Sequence, residues 1–490
     1  MRYFFIASLL ASLCCLWQSP AALAEPVSVQ VSPSTVRQVD TRYLSLALDT
    51  SVLLGGEWWT AKNQLDLSDP RLRVLTQALA PAYLRLGGTD ADRVYYHFEE
   101  GPAPQPLPAG YTLLLKRQRW QELMDFAHDV QMPVIFTLNA GPGPRSADQV
   151  WQSDNARSLV SHATQAQDPV AVWELGNEIN GFGPLLNVWL SPSQYGRDLL
   201  EARKLLQSTG SPARLAGPAS AFWPLWQEPL AVLPEALRVG GAALDIVSWH
   251  YYPQQSSRCP LATRRARLKT LLQPDALDTI LSSASSVHKQ QQQSAVQAES
   301  WLGETGHAQC GGEPGISGRY VSSLWWLDQL GLLAKSQQVQ VRQALVGSDY
   351  GLLDETSGEP TPDYWASLLW KRLMGPGVLQ TQQTGPPSLR TYAHCRPDQK
   401  GWTLLLLNLD PEQALPVYLP YPHPQAQLYQ LSARSLDSRQ LRLNGKTLVF
   451  HTQLPELKGQ PLSHSQLSLP PASASFVAFD FPNWPGCQGA

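Results

Sequence analysis

The chain has 490 residues, 16% of them charged, and a formal net charge of −3 at pH 7. That length allows one large domain with a smaller one, or two to three ordinary domains. The mildly acidic balance argues against nucleic acid or an anionic membrane as a general partner.

Residues 1–24 read as a secretory signal. Arg2 supplies the charge, Phe4 to Trp17 the apolar run, and Ala22-Leu23-Ala24 a small-residue cleavage site before Glu25. A membrane span needs roughly 20 apolar residues, which neither this run nor any later one supplies. The mature protein is therefore expected to be secreted or periplasmic, cut after Ala24, with no membrane span. Loss of Arg2 takes the net charge from −3 to −4, and loss of Cys14 and Cys15 leaves four of six cysteines. Cys259, Cys310, Cys395 and Cys487 in an exported chain imply two disulfides, with three connectivities open. Zinc is the weaker reading, because no C-x-x-C or H-x-x-x-H spacing supports it.

Val27 to Val36 alternates like a half-buried strand broken at Pro33. From Tyr43 on, short apolar runs end in polar residues. They are YLSLALD to Asp49, AYLRLGG to Gly88, PVIFTLN to Asn139, VWELGNE to Glu178, RLAGP to Pro218, DIVSWHYY to Tyr252, SWLGE to Glu304 and QALVGSDY to Tyr350. Amphipathic segments accompany them, among them Arg119 to Val130, Tyr195 to Leu206, Ser317 to Ala334 and Asp363 to Met374. Strands alternating with helices over 41–374 give an α/β chain, a (β/α)8 TIM barrel. An open doubly wound sheet is the alternative, but no G-x-G-x-x-G follows the first strand. Gln290 to Gln293 reads as a solvated loop before the seventh strand. Past Gly375, turn residues cluster between short alternating strands (LRTYAHC, GWTLLLLNL, ALPVYLP, QLRLNGKTLVF, ASFVAFDF), the pattern of an antiparallel β-sandwich over 375–490. The strand within 25–40, which has no helix partner, is expected to join it.

A barrel gathers its strand ends at one face, so Glu178 after the fourth strand should meet Glu304 after the seventh. Two facing carboxylates suit glycoside hydrolysis, one giving a proton and the other attacking the anomeric carbon. The bland reading makes Asn177 a helix cap and Glu178 a first-turn acid. Asn177 could bond a sugar 2-hydroxyl, and a Tyr hydroxyl from Trp249-His250-Tyr251-Tyr252 could hold the nucleophile ionised. His250 reads equally as a core histidine, and core packing is the default for Trp58, Trp59, Trp173, Trp249 and Trp301.

WELGNEIN around Glu178, and WLGETG around Glu304 followed by CGGEP, resemble the paired motifs of glycoside hydrolase family 79, which holds the heparanases and β-glucuronidases. The similarity continues in LAPAYLRLGGTDAD, FTLNAG, SWHYY, SDYGLLDE, PDYWASLLWKRL, LRTYAHC and LPYPHP. The resemblance implies a retaining barrel enzyme with Glu178 as acid/base and Glu304 as nucleophile. It implies that Tyr350 and the Gly311-Gly312 backbone contact a uronate carboxylate, and that Asp49, Thr89, Asn139 and Asn177 line the glycone pocket. His250, Tyr252 and Cys310 are expected at the substrate as well. It also implies a Cys395–Cys487 disulfide. Two departures stand out: Glu99 to Gly110 is short where animal heparanases carry an excised linker, so one uncleaved chain is expected. Cys310 replaces the first glycine of the run after the nucleophile, and is expected to pair with Cys259.

The function expected is a retaining endo-β-glucuronidase acting on heparan-sulfate-like acidic polysaccharides, as a monomer, with no cofactor and no metal. An exo-β-glucuronidase of the same family is the alternative, and a binding protein on an inactive barrel the rival from another class. Arg258, Arg264, Arg265, Arg267 and Lys269 are the basic cluster against which an anionic chain could lie.

Overall fold

The computed structural model describes residues 27–55, 64–420, 426–462, 464–482 and 484–488. The expected signal, Trp58, Trp59 and the end of LPYPHP lie outside them. Eight parallel strands close into a barrel: β1 Leu44–Asp49, β2 Leu84–Gly87, β3 Val134–Leu138, β4 Val170–Leu175, β5 Arg214–Phe222, β6 Ile246–Tyr251, β7 Glu299–Thr305 and β8 Gln340–Arg342. The TIM barrel is present, and its eighth strand corrects the expectation. That ladder ends at Arg342, and the run from Gln343 to Tyr350 folds back instead. Leu352 and Leu353 donate their N–H groups to the carbonyls of Ala344 and Leu345. Gly347 and Ser348, with φ of 105° and 64°, make the reversal.

Alternation along the strands fills the barrel in layers. Ala47, Ile135, Val172, Ala216, Ile246, Trp301 and Val341 belong to one buried apolar cluster. Two residues further along β3, β4 and β6 come Thr137, Glu174 and Ser248, all buried and polar. Above that layer, at the carboxyl ends of the strands, lies the cleft.

The amphipathic segments form helices Arg117–Asp129, Pro192–Thr209, Tyr320–Leu333 and Pro362–Leu373. The second begins as its sequence dictates, with Ser191 accepting from the Gln194 N–H and proline in the first turn. Gln290 to Gln293 is not a loop but the last turn of helix Pro274–Gln293. Glutamine is a fair helix former, and the buried Gln291 donates its amide to the Ala298 carbonyl.

The second sheet contains Gly377–Gln383, Leu389–Cys395, Gly401–Asn408, Ala426–Ser432 and Ser473–Asp480, paired antiparallel. Val27–Gln38 pairs antiparallel with Gly377–Gln383 and parallel with Leu415–Tyr418. Its register shifts between Val31 and Thr35, around Pro33, which has no N–H to donate. The segment 440–450 reduces to a short hairpin, Arg442–Leu443 against Lys446–Thr447. A Cys395–Cys487 disulfide ties this sheet to the last described turn. No described helix is long and apolar enough to cross a membrane.

Candidate active site

Strand β4 ends at Leu175, and the chain turns sharply at Gly176, where φ is 72° and a Cβ would lie 2.5 Å from Ile179 Cδ1. Glu178 itself is left-handed (φ 51°, ψ 57°), with its N–H on the Ala219 carbonyl. The helix-cap reading therefore fails for this pair: Asn177 donates its N–H to Asp92 Oδ2 at 2.8 Å, and its own Oδ1 accepts from Arg85 and Gly88. Glu304 sits within β7, one residue before its end.

Arg85 organises the floor. Its guanidinium donates to Glu174 Oε2 at 2.9 and 2.7 Å, to Glu304 Oε2 at 2.7 Å and to Asn177 Oδ1 at 2.9 Å. Thr137 and Ser248 complete the shell of Glu174, at 2.9 and 2.8 Å. Tyr252 donates its hydroxyl to Glu304 Oε1 at 2.6 Å. Burial pushes the Glu304 carboxyl up, but the charges of His250 and Arg85 with the Tyr252 and Arg85 hydrogen bonds outweigh it and hold it below the usual range. His250 Nδ1 lies 3.2 Å from Glu178 Oε1 and 3.9 Å from Glu304 Oε2. Its Nε2 faces Arg85 Nη2 at 3.5 Å.

A single cavity of about 1540 Å³ covers this floor. Asp49, Thr89, Asn177, Glu178, Tyr252, Glu304, Cys310 and Tyr350 line it. Burial pushes the Asp49 carboxyl up to about 7 against the Ser51 N–H and hydroxyl that it accepts. Burial likewise raises the Tyr350 phenol, which therefore keeps its proton. Other expected residues serve the frame. Asn139 does not line the cavity: its amide donates to the Val94 carbonyl and its oxygen accepts from the Gly141 N–H. His250 is fully buried beneath the two glutamates. Gly311 and Gly312 are not in the lining, and the Gly312 N–H is taken by the Ala308 carbonyl.

The basic cluster also reads differently in three dimensions. Arg265 donates to the carbonyls of Ser256 and Cys259 and so braces its own loop, while Arg264 donates to the Ala276 carbonyl and ties that loop to helix Pro274–Gln293. Only Arg258 of that cluster lines the cleft, where it is paired with Asp349 at 2.6 Å. Cys259 and Cys310 form a disulfide at the rim. Trp173, Trp249 and Trp301 are core residues, while among the described residues the tryptophans that line the cleft are Trp223 and Trp226. Sequence reasoning passed over Arg85, Glu174 and Asp92. The available signal was a charge inside an apolar strand, as in AYLRLGG and VWELGNE, since a buried charge implies a buried partner.

Glu178, His250 and Glu304 offer ligand atoms within 4.8 Å of one another, the one such group among the described residues. A metal ion there would sit against the Arg85 guanidinium, which already neutralises Glu304, so these residues fit a cation poorly.

A family model described as "Glycosyl hydrolase family 79, N-terminal domain" matches residues 56–331. The chain is 32% identical to the heparanase of Mus musculus over 94% of its own length and 96% of that protein. It is 28% identical to the baicalin-β-D-glucuronidase of Scutellaria baicalensis, over 92% of each. Among solved structures, an α-L-arabinofuranosidase from Thermotoga maritima superposes with a TM-score of 0.67 at 15% identity, over 93% of this chain and all of that one.

Proposed function

The chain belongs to glycosyl hydrolase family 79, and on that premise we propose that it is a retaining endo-β-glucuronidase, with Glu304 as nucleophile and Glu178 as acid/base. The observation that carries the mechanism is the spacing of the two carboxylates, whose nearest oxygens fall within 4.8 Å. Retaining pairs stand about 5–5.5 Å apart, while inverting pairs need roughly 6.5–9.5 Å to admit a water. Glu304, held ionised by Arg85 and Tyr252, attacks the anomeric carbon as Glu178 gives its proton to the departing oxygen. Water then attacks the glycosyl ester, returning one proton to Glu178 and freeing Glu304.

Selection of a uronate rests in this reading on the Tyr350 hydroxyl and the amide of Gln343, both at the cavity wall. A β-D-glucuronidase stands among the relatives, beside a heparanase. The cavity exceeds the roughly 300–1,000 Å³ of an ordinary ligand site, which favours several sugar rings and internal cleavage. The two disulfides support an exported protein.

The test pairs a β-glucuronide with the matched β-glucoside and follows an oligosaccharide by product sizing. Glucuronide turnover, a β-anomer as first product in NMR, and internal fragments are expected. Glu304→Gln should lower kcat by about four to six powers of ten with the fold intact. Equal kcat/KM on both glycosides would remove the uronate specificity, an initial α-anomer the retaining mechanism, and release of monosaccharide alone the endo action.

A further inference from the structure

Beyond β5 the chain enters a tight hairpin in which Trp223 and Gln227 exchange both backbone hydrogen bonds, at 2.6 and 2.9 Å. The turn stacks Trp223 on Trp226, with ring centroids 5.8 Å apart and planes 15° from parallel. Both rings line the same cavity as Glu178 and Glu304. Trp226 is 58% exposed, and two further lining residues, Leu230 and Leu261, are each 62% exposed. Large apolar side chains left in water inside a cleft mark a surface meant for a ligand. Its position is fixed by Asn180, two residues after Glu178. That amide donates to the carbonyls of Ala221 and Pro229 at 2.9 and 2.8 Å, and its oxygen accepts from the Ala221 N–H at 2.9 Å. The apolar platform is thus tied to the segment that carries the proposed acid, the group that serves the leaving oxygen.

Charge in the cleft points the same way. Among the described residues, seven carboxylates and three arginines line it. Arg258 faces Asp349 at 2.6 Å and Arg439 faces Asp354 at 3.4 Å, so two of the three cations are paired within the cleft. A densely sulfated chain would need unopposed guanidinium groups to meet it.

We propose that the Trp223–Gln227 hairpin is the first leaving-group subsite, and that the enzyme takes β-glucuronides whose leaving group is uncharged and presents a flat apolar face. This rests on the glucuronidase reading above. The CH face of a pyranose and an aryl ring share the chemistry such a platform recognises, since both lie flat on an indole.

The experiment compares wild type, Trp226→Ala and Trp226→Phe on four glucuronides: an unsulfated oligosaccharide, its N- and O-sulfated counterpart, a naphthyl glucuronide and β-glucuronyl fluoride, which fills only the glycone site. Trp226→Ala should lower kcat/KM about tenfold on the unsulfated saccharide, the naphthyl glucuronide or both, and leave the fluoride within about twofold. The arm that falls further identifies the natural source of the flat face, and Trp226→Phe should restore most of the loss. Sulfation should lower kcat/KM for wild type. An equal loss on the fluoride, no loss on either larger substrate, or faster cleavage of the sulfated chain would overturn the proposal alone. A wild type inert toward all four would overturn the glucuronidase reading and the proposal with it.

Discussion

Glu304 is met by two donors of different kinds, the Arg85 guanidinium at 2.7 Å and the Tyr252 hydroxyl at 2.6 Å. The attack in the proposed mechanism needs the ionised carboxylate, so activity on the acid side is lost as pH falls through its folded pKa. That pKa is lowered against the pull of burial, with Tyr252 among the groups lowering it. Removing the donor raises it again. A hydrogen bond to a charged group is worth about 1.5–3 kcal/mol, or about 1–2 pH units. Tyr252→Phe should therefore move the acid limb of kcat/KM to higher pH by about that much, leaving the alkaline limb in place. An unmoved acid limb would mean that Tyr252 does not hold the nucleophile ionised.

Three elements depend on Asp92, which lies in the short 3-10 helix Thr89–Arg93 after β2. Its two oxygens accept from the N–H groups of Ala140, after β3, and Asn177, after β4, each at 2.8 Å. Burial pushes this carboxyl up to about 7 against those two bonds. Three strand ends are thereby held in one frame, which sets where Glu178 stands relative to Glu304. In Asp92→Asn one oxygen becomes an amide that must face a backbone donor. Leaving such a group unmatched costs about 1–3 kcal/mol. Because Asn177 and Glu178 move together, kcat should fall about tenfold or more while the circular dichroism spectrum is unchanged. Wild-type kcat in a folded Asp92→Asn protein would show that the frame does not set the acid.

Barrel and sheet meet where Tyr392 lies against helix Tyr320–Leu333. Gly331 makes that fit possible, since a Cβ there would come within 2.2 Å of the Tyr392 ring. The Tyr392 hydroxyl donates to Asp328 at 2.6 Å in the same helix. Burial pushes Asp328 up to about 6, as it does Asp49 and Asp92 to about 7. Folded values above the unfolded value of about 4 contribute stability that is complete below pH about 4 and lost as pH rises through 6 to 7. Buried His307, lowered to about 3, and His394, lowered to about 4, act oppositely: their contribution is lost as pH falls below about 6.5. Three acids against two histidines leave a net decline between pH 5 and 7. The expected outcome is a higher Tm at pH 5 than at pH 7 in scanning calorimetry, with the difference reduced in Asp328→Asn. A Tm that rises from pH 5 to 7 would contradict this balance.

Sequence alone determined the barrel and the sheet, because alternation and apolar runs are local and survive without knowledge of neighbours. It also placed Glu178 and Glu304 at strand ends, and the closed barrel then brings strands four and seven to one mouth. Pairing of the four cysteines stayed open on spacing, and the tertiary structure holds Cys259–Cys310 and Cys395–Cys487. What only the tertiary structure decided is which polar groups are already engaged. Arg85 meets Glu174 and Glu304 across 89 and 219 residues of chain, and nothing local to AYLRLGG names those partners. Asn139 looked as available as Asn177, yet its amide closes a loop while Asn177 lines the cleft. The arginines after the sixth strand read as one basic face, yet in the fold the guanidinium groups of Arg264 and Arg265 turn to backbone carbonyls. Burial and partnership are properties of contacts between distant segments, so a residue's type and spacing propose it for a site and only the folded chain admits it.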